Sequence, residues 1–151
     1  MLGVCLGSQL LAHALGGEVS KRDRKEIGWY SVRLTHEAIE DPLWIDVPRK
    51  FTAFHWHGDV FSLPLGAKPL ASFARTEQQA FRYGTNAYGL LFHLEMTQPL
   101  IDGMVRSFCK ELEESGVDPE MLMQETREHL PAFRTVGSLV FEQWALMVES
   151  D

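Results

Sequence analysis

This chain lacks most of what it would need to grip a polyanion, cross a membrane or build a disulfide scaffold. Lysine and arginine number 14 against 21 aspartate and glutamate, a formal net charge of −7. That balance offers no basic face to a phosphate backbone or an anionic lipid surface, so neither nucleic acid nor membrane is expected as a partner. No run approaches the roughly 20 apolar residues of a membrane-spanning helix. The two cysteines, Cys5 and Cys109, lie far apart in unlike contexts. They suggest no disulfide framework, and nothing resembles a secretory signal. A reducing cytoplasm is the expected compartment, and it would keep a working thiol reduced. Repeats, low-complexity stretches and charged tails are missing too. What remains is 151 residues, 45% of them hydrophobic, enough for one core and one domain.

The order of the apolar patterns is that of an α/β chain. Met1 to Val4 has strand character and leads at once into Cys5-Leu6-Gly7. From Ser8 the period turns helical, with Leu10, Leu11, Ala14 and Leu15 on one stripe and Gly16-Gly17 as its stop. Short strands are predicted at 18–20, 28–34, 51–56, 70–74, 79–83 and 87–92, with Asp41-Pro42 and Val47-Pro48 marking a loop. After Thr97 a helix is predicted, with Ile101, Met104, Val105, Phe108 and Leu112 on one face. Cys109 falls near that face and reads as a core residue. Asp118-Pro119 opens a second helix, Pro131 closes it, and 136–148 forms a third with Val140, Trp144 and Met147 inward. The chain therefore divides into a motif-bearing core, 1–97, and C-terminal helices, 98–151.

Gly3-Val4-Cys5-Leu6-Gly7 is the thiol form of a nucleophile elbow, G-x-C-x-G. A sharp strand-to-helix turn pushes the nucleophile forward, and glycine is expected at both crowded flanks. The following helix points its N-terminus at the sulfur, which favours thiolate, and the Leu6 N–H is placed to donate to an oxyanion. The alternative is a small buried hydrophobe between two tightly packed glycines. A nucleophilic thiol needs a base and an orienting group. His93 ends an apolar strand, where α/β folds place catalytic groups, and Glu95 follows two residues on. Alone, His-x-Glu has little specificity: such a histidine is more often structural, and such a glutamate is more often simply solvated.

Together these segments are specific. Gly3-Val4-Cys5-Leu6-Gly7-Ser8-Gln9 and Tyr88-Gly89-Leu90-Leu91-Phe92-His93-Leu94-Glu95 resemble the two signatures of class I glutamine amidotransferases, G-x-C-x-G-x-Q and G-x-Q-F-H-P-E. The resemblance is to free-standing members related to the glutaminase domain of GMP synthase. Lys25-Glu26-Ile27-Gly28-Trp29-Tyr30, Phe54-His55-Trp56-His57-Gly58-Asp59 and Gln79-Ala80-Phe81-Arg82-Tyr83-Gly84 extend it, over residues 2 to about 97. Leu91 replaces the signature glutamine and Leu94 the frequent proline; neither position carries chemistry.

The resemblance implies a flavodoxin-like mixed sheet flanked by helices and glutamine hydrolysis through a thioester. Cys5, His93 and Glu95 would form the triad, with Leu6 as oxyanion donor and no cofactor. Gln9 matches a substrate-contacting position, and the backbone around His55, Trp56 and His57 matches the segment that binds the amino-acid end. Ammonia would pass to a synthetase partner. In this family several strands and a glycine-rich loop with a second oxyanion donor precede the elbow, whereas this sequence starts four residues before Cys5. Lacking those strands, the chain reads as N-terminally truncated, a fragment, an internal start or a form that has lost that half. Poor activity and self-association through an exposed sheet edge are then expected. A γ-glutamyl hydrolase using the same triad and an inactive relic or binding module are the competing readings. A metal at His55, His57 and Asp59 lacks a third ligand at metal spacing, unless Cys5 or His93 converges there, so no metal is expected.

Overall fold

The computed structural model describes residues 1–149; the last two positions of the predicted helical segment lie outside them. The elements run β1 (Leu2–Val4), α1 (Leu6–Ala14), β2 (Val19–Leu34), α2 (His36–Ile39), β3 (Lys50–Phe61), β4 (Lys68–Ser72), β5 (Ala80–Tyr83), β6 (Ala87–Leu90), α3 (Gln98–Ser107), α4 (Cys109–Ser115) and α5 (Pro119–Glu149). They form a mixed α/β fold around one sheet of order β1-β6-β5-β4-β2-β3. β1 and β6 are parallel, in register Leu2 with Tyr88 and Val4 with Leu90; the other pairings are antiparallel. The sheet curls, so that the His93 N–H, just past β6, donates to the Phe54 carbonyl of β3 at 3.0 Å. A strand and its distant neighbour in sheet order thus meet at the site.

The predicted runs 18–20 and 28–34 prove to be one strand. β2 pairs with β3 along almost its whole length, but the register shifts between Lys21 and Glu26. The residues bulged out there, Arg22-Asp23-Arg24-Lys25, are charged and hide the strand from a hydrophobicity pattern. β3 continues through His57 to Phe61 rather than ending at Trp56. The proline-marked loop contains α2, whose Thr35 Oγ1 accepts from the Ala38 N–H at 3.3 Å. It also buries Leu43 and Trp44 completely. Asp41 anchors it from inside, accepting from Tyr88 Oη at 3.1 Å and the Leu43 N–H at 3.0 Å and pairing with Arg82 at 3.0 Å.

The C-terminal helices depart from expectation in two places. Phe108 (φ −114°, ψ 32°) interrupts the first predicted helix and separates α3 from α4. Ile101 and Leu112 still reach the core, but Phe108 is 48% exposed, and Cys109 is exposed rather than core. The break at Phe108 leaves Cys109 off the face extrapolated from Ile101, while Leu112 keeps to it. Pro131, expected to end a helix, sits inside the single long helix α5. It lies on the exposed side, where water can bond the Arg127 carbonyl that its missing N–H leaves free. The buried stripe Leu122, Thr126, Leu130, Phe133, Gly137, Val140 passes it without interruption.

That stripe fixes the sheet from one side. Trp29 of β2 meets the rings of Phe54 and Phe133 edge-on, at centroid distances of 5.3 and 5.5 Å. Its Nε1 donates to Thr126 Oγ1 at 3.0 Å, so the indole is buried with its polar atom satisfied. Gly137 lets α5 approach the residues after β6: a Cβ there would stand 2.8 Å from the Leu94 carbonyl oxygen. The turn carrying His93 and Glu95 is therefore pressed against a rigid helix.

Candidate active site

Cys5 occupies the single residue between β1 and α1, with φ 48° and ψ −108°. It is the only non-glycine residue of positive φ among the described residues. Holding a side chain there costs on the order of 1–3 kcal/mol, a strain that the surrounding structure has to enforce. Two features enforce it. The Cys5 N–H donates to the Leu90 carbonyl of β6 at 2.8 Å, continuing the parallel ladder by one residue. Its carbonyl accepts from the N–H groups of Ser8 and Gln9 at 3.0 and 3.1 Å and from Ser8 Oγ at 2.6 Å, which starts α1.

The two flanking glycines differ. A Cβ on Gly3 would lie 2.6 Å from the Gly7 carbonyl oxygen, so glycine is required for the strand to pass under the helix. A Cβ on Gly7 would meet nothing within 4 Å. The expected crowding at both flanks holds at Gly3 only; at Gly7 it is the backbone that must be approached. Leu6, in the first turn of α1, is 63% exposed, and an N–H at that position has no intrahelical acceptor.

Because β1 and β6 are parallel neighbours, their carboxyl ends deliver Cys5 and His93 to the same place. His93 Nδ1 lies 2.6 Å from Glu95 Oε1, which leaves Nε2 for the thiol. Burial pushes the imidazole pKa down, but hydrogen bonding and charge from Cys5 and Glu95 outweigh it and raise the value to about 9. Burial likewise disfavours the Glu95 charge, but its bond to His93 prevails and holds its pKa below the ordinary carboxylate range. A thiol, an imidazole and a carboxylate are thus brought together, the three groups that a thiol-based acyl transfer uses.

The remaining predicted site residues lie on α1 and β3. Gln9 is buried, and its Nε2 donates to the Asp59 carbonyl at 2.9 Å, tying α1 to β3. The Trp56 carbonyl stands 3.9 Å from Cys5 Sγ, so the β3 backbone borders that sulfur. The Trp56 side chain points into packing, with Nε1 donating to Glu111 Oε2 at 3.1 Å. His55 and His57 are buried and turn toward each other, His55 Nδ1 lying 3.4 Å from His57 Nε2.

In the sequence Glu26 stands out only as part of a resemblance, yet it is the partner of those histidines. Its Oε2 is 3.3 Å from His57 Nε2, and both side chains are almost fully buried. Thr76 Oγ1 donates to Glu26 Oε1 at 2.6 Å. Burial opposes the Glu26 charge, but bonds from His57 and Thr76 hold its pKa below the usual range. For His55 burial prevails, followed by the charge of His57, and its pKa falls to about 3. The signal for Glu26 was its pairing with His57 across β2 and β3, which the bulge conceals. Asp59, the predicted companion of the two histidines, contributes its carbonyl to Gln9 instead.

The family model for class I glutamine amidotransferases matches residues 1–112. The chain belongs to that family. It is 36% identical over 112 residues to the glutamine amidotransferase-like protein YfeJ of Salmonella typhimurium, covering 74% of this chain and 47% of that protein. It is 34% identical over 113 residues to a glutamine-hydrolysing GMP synthase polypeptide of Methanocaldococcus jannaschii, covering 73% of this chain and 58% of that polypeptide. The crystal structure of a glutamine amidotransferase from Thermotoga maritima superposes with a TM-score of 0.84 at 32% identity, over 95% of this chain and 61% of that one. One from Methylobacillus flagellatus gives the same TM-score at 26% identity and the same coverage. The chain spans about half the length of the first two amidotransferase relatives. No helix among the described residues is long and apolar enough to cross a membrane.

Proposed function

We propose that this amidotransferase chain hydrolyses the side-chain amide of glutamine and supplies ammonia to a synthetase partner. The observation that carries the reading is Cys5, held at positive φ between β1 and α1, beside a histidine whose charged form is favoured by Cys5 and Glu95 together. The Cys5 sulfur attacks the amide carbon, and the carbonyl π electrons move to oxygen, stabilised by the Leu6 N–H. His93 gives its proton to the amide nitrogen as the C–N bond breaks, releasing ammonia and leaving a thioester. Water, deprotonated by His93, then attacks the thioester and frees glutamate and the thiol. Glu95 keeps the imidazole oriented and favours its charged form. The β3 backbone at 55–57, bordering Cys5, would hold the amino-acid end of the substrate, with Gln9 fixing that backbone through Asp59.

A reducing cytoplasm suits a reaction that depends on a free Cys5 thiol. β1 stands at one end of the sheet, with β6 beside it, and an unpaired strand edge invites another strand. The 151-residue chain is accordingly expected to self-associate, which sedimentation would read directly.

The test is labelling with a diazo-ketone glutamine analogue followed by peptide mass mapping. An adduct on Cys5, absent from Cys5→Ser and blocked by excess glutamine, is the expected result. A folded protein whose Cys5 reacts with small thiol reagents but not with the analogue would overturn the proposal. Comparing release from glutamine with release from γ-glutamyl amides separates the amidotransferase reading from a γ-glutamyl hydrolase.

A further inference from the structure

We propose that Glu26, His55 and His57 form a binding site for one divalent transition-metal ion, with zinc the best fit, between β2 and β3. Each residue offers one ligand atom, and the three atoms lie within 4.8 Å of one another. Zinc binds imidazole nitrogen and carboxylate oxygen at about 2.0–2.1 Å in tetrahedral geometry, which puts neighbouring ligand atoms about 3.3–3.4 Å apart. His55 Nδ1 and His57 Nε2 are 3.4 Å apart, and His57 Nε2 and Glu26 Oε2 are 3.3 Å apart. Two edges of a coordination polyhedron are therefore already at bonding spacing. Two histidines and a glutamate are also the protein ligands of known three-ligand zinc sites with an open fourth position.

A second observation points to a missing cation. Glu26 Oε2 is buried without a well-aligned hydrogen bond, with His57 Nε2 facing it at 3.3 Å, an expensive state for a carboxylate oxygen. Thr76 donates to the other oxygen, Oε1. Arg22, whose guanidinium is close by, bonds Thr76 Oγ1 and the Arg75 carbonyl instead of the carboxylate. The Thr76 bond fixes the carboxylate as outer-sphere partners do in metal sites. The His55 ring is fixed as well, packed at 5.4 Å from Tyr30, 5.9 Å from Phe73 and 6.0 Å from Phe92.

Glu26 also borders a surface cavity of about 620 Å³ lined by Asp23 and by the cations Lys21, Arg22, Arg24, Lys25 and Arg75. These cations oppose another positive charge, so binding depends on the Glu26 carboxylate. The far ring nitrogens, His55 Nε2 and His57 Nδ1, have no hydrogen-bond partner, which limits the affinity but not the geometry.

The experiment uses the full chain as Cys5→Ser, because Cys5 with His93 and Glu95 would otherwise offer a competing thiolate site. Chelator-stripped protein is titrated with Co²⁺ and with Zn²⁺. One equivalent should bind, Co²⁺ showing the visible bands of a four-coordinate site without sulfur-to-metal charge transfer, and Zn²⁺ raising Tm. Glu26→Gln and His57→Asn should abolish this, and Thr76→Val should weaken it about 10–100-fold. Stoichiometry in the Cys5→Ser protein carries the test even if Glu26→Gln fails to fold. Absence of a bound equivalent overturns the proposal, as does binding that survives in folded Glu26→Gln or disappears in His93→Asn.

Discussion

Two histidine–glutamate pairs lie close together in this molecule and behave in opposite ways. His93 and Glu95 sit two residues apart at a strand end, 2.6 Å from each other, with the Glu95 side chain 42% exposed. His57 and Glu26 come from different strands, are 3.3 Å apart and are almost completely enclosed. In the first pair the partners win over burial and raise His93 to about 9. Behind the second pair, burial wins at His55 and lowers it to about 3. A nearby carboxylate does not by itself decide the charge of an imidazole; the balance between desolvation and direct bonding does. The open pair is suited to moving protons, and the enclosed one to holding structure or a cation.

Removing the carboxylate from each pair should give contrasting phenotypes. Glu95→Gln is expected to lower kcat for glutamine about 10⁴-fold, as loss of the orienting carboxylate does in a triad, while urea unfolding changes little. Equal losses of activity and stability would show that the pair is structural. Glu26→Ala is expected to cost about 3–5 kcal/mol of stability, because breaking a buried pair strands the remaining polar group. A midpoint unchanged in urea would mean that the enclosed pair is not coupled to folding. Smaller, but sharper about position, is Gly137→Ala. Its Cβ would meet the Leu94 carbonyl oxygen, and overpacking of this kind costs about 1–3 kcal/mol. If α5 positions the His93 turn, kcat should fall with it; a stable, fully active Gly137→Ala would show that α5 does not hold that turn in place.

The pH dependence of stability, measured in chelator, should show the two histidines as opposite limbs. His93 is raised from 6.5 to about 9, so its contribution is complete below pH 6.5 and is lost as pH rises through 9. His55 is lowered from 6.5 to about 3, so the unfolded chain binds the extra proton between those values and stability falls as pH falls. Glu26, lowered from 4.5, adds to the acid limb. His93→Gln should flatten the alkaline limb alone. Loss of both limbs in that variant would mean that the sites titrate as one.

Much of the His93–Glu95 pair was legible because its members are local. G-x-C-x-G marks a tight strand-to-helix turn through its glycines alone, and His93 and Glu95 are close enough in sequence to meet on one strand end. The enclosed pair was not legible in the same way. His55-x-His57 was visible as two residues on one strand face, but Glu26 reaches them only because β2 bulges between Lys21 and Glu26 and so resets its register. Helix ends misled for a related reason. Pro131 is a strong local stop, yet it lies inside α5, where a continuous buried stripe from Leu122 to Val140 supplies more than one missing bond removes. Phe108 carried no local signal of a break at all.

The sequence by itself determined the elbow at Cys5, the His93–Glu95 pair, the α/β order of elements and membership of the amidotransferase family. These depend on dihedral preferences and on groups a few residues apart, which neighbouring chemistry controls. Only the tertiary structure decided that Gly3 rather than Gly7 is sterically required, that Gln9 ties α1 to β3, and that Glu26 closes a three-ligand cluster with two buried histidines. Each of those depends on strand register or on the approach of two distant backbones, and such distances follow from packing the whole sheet against α5.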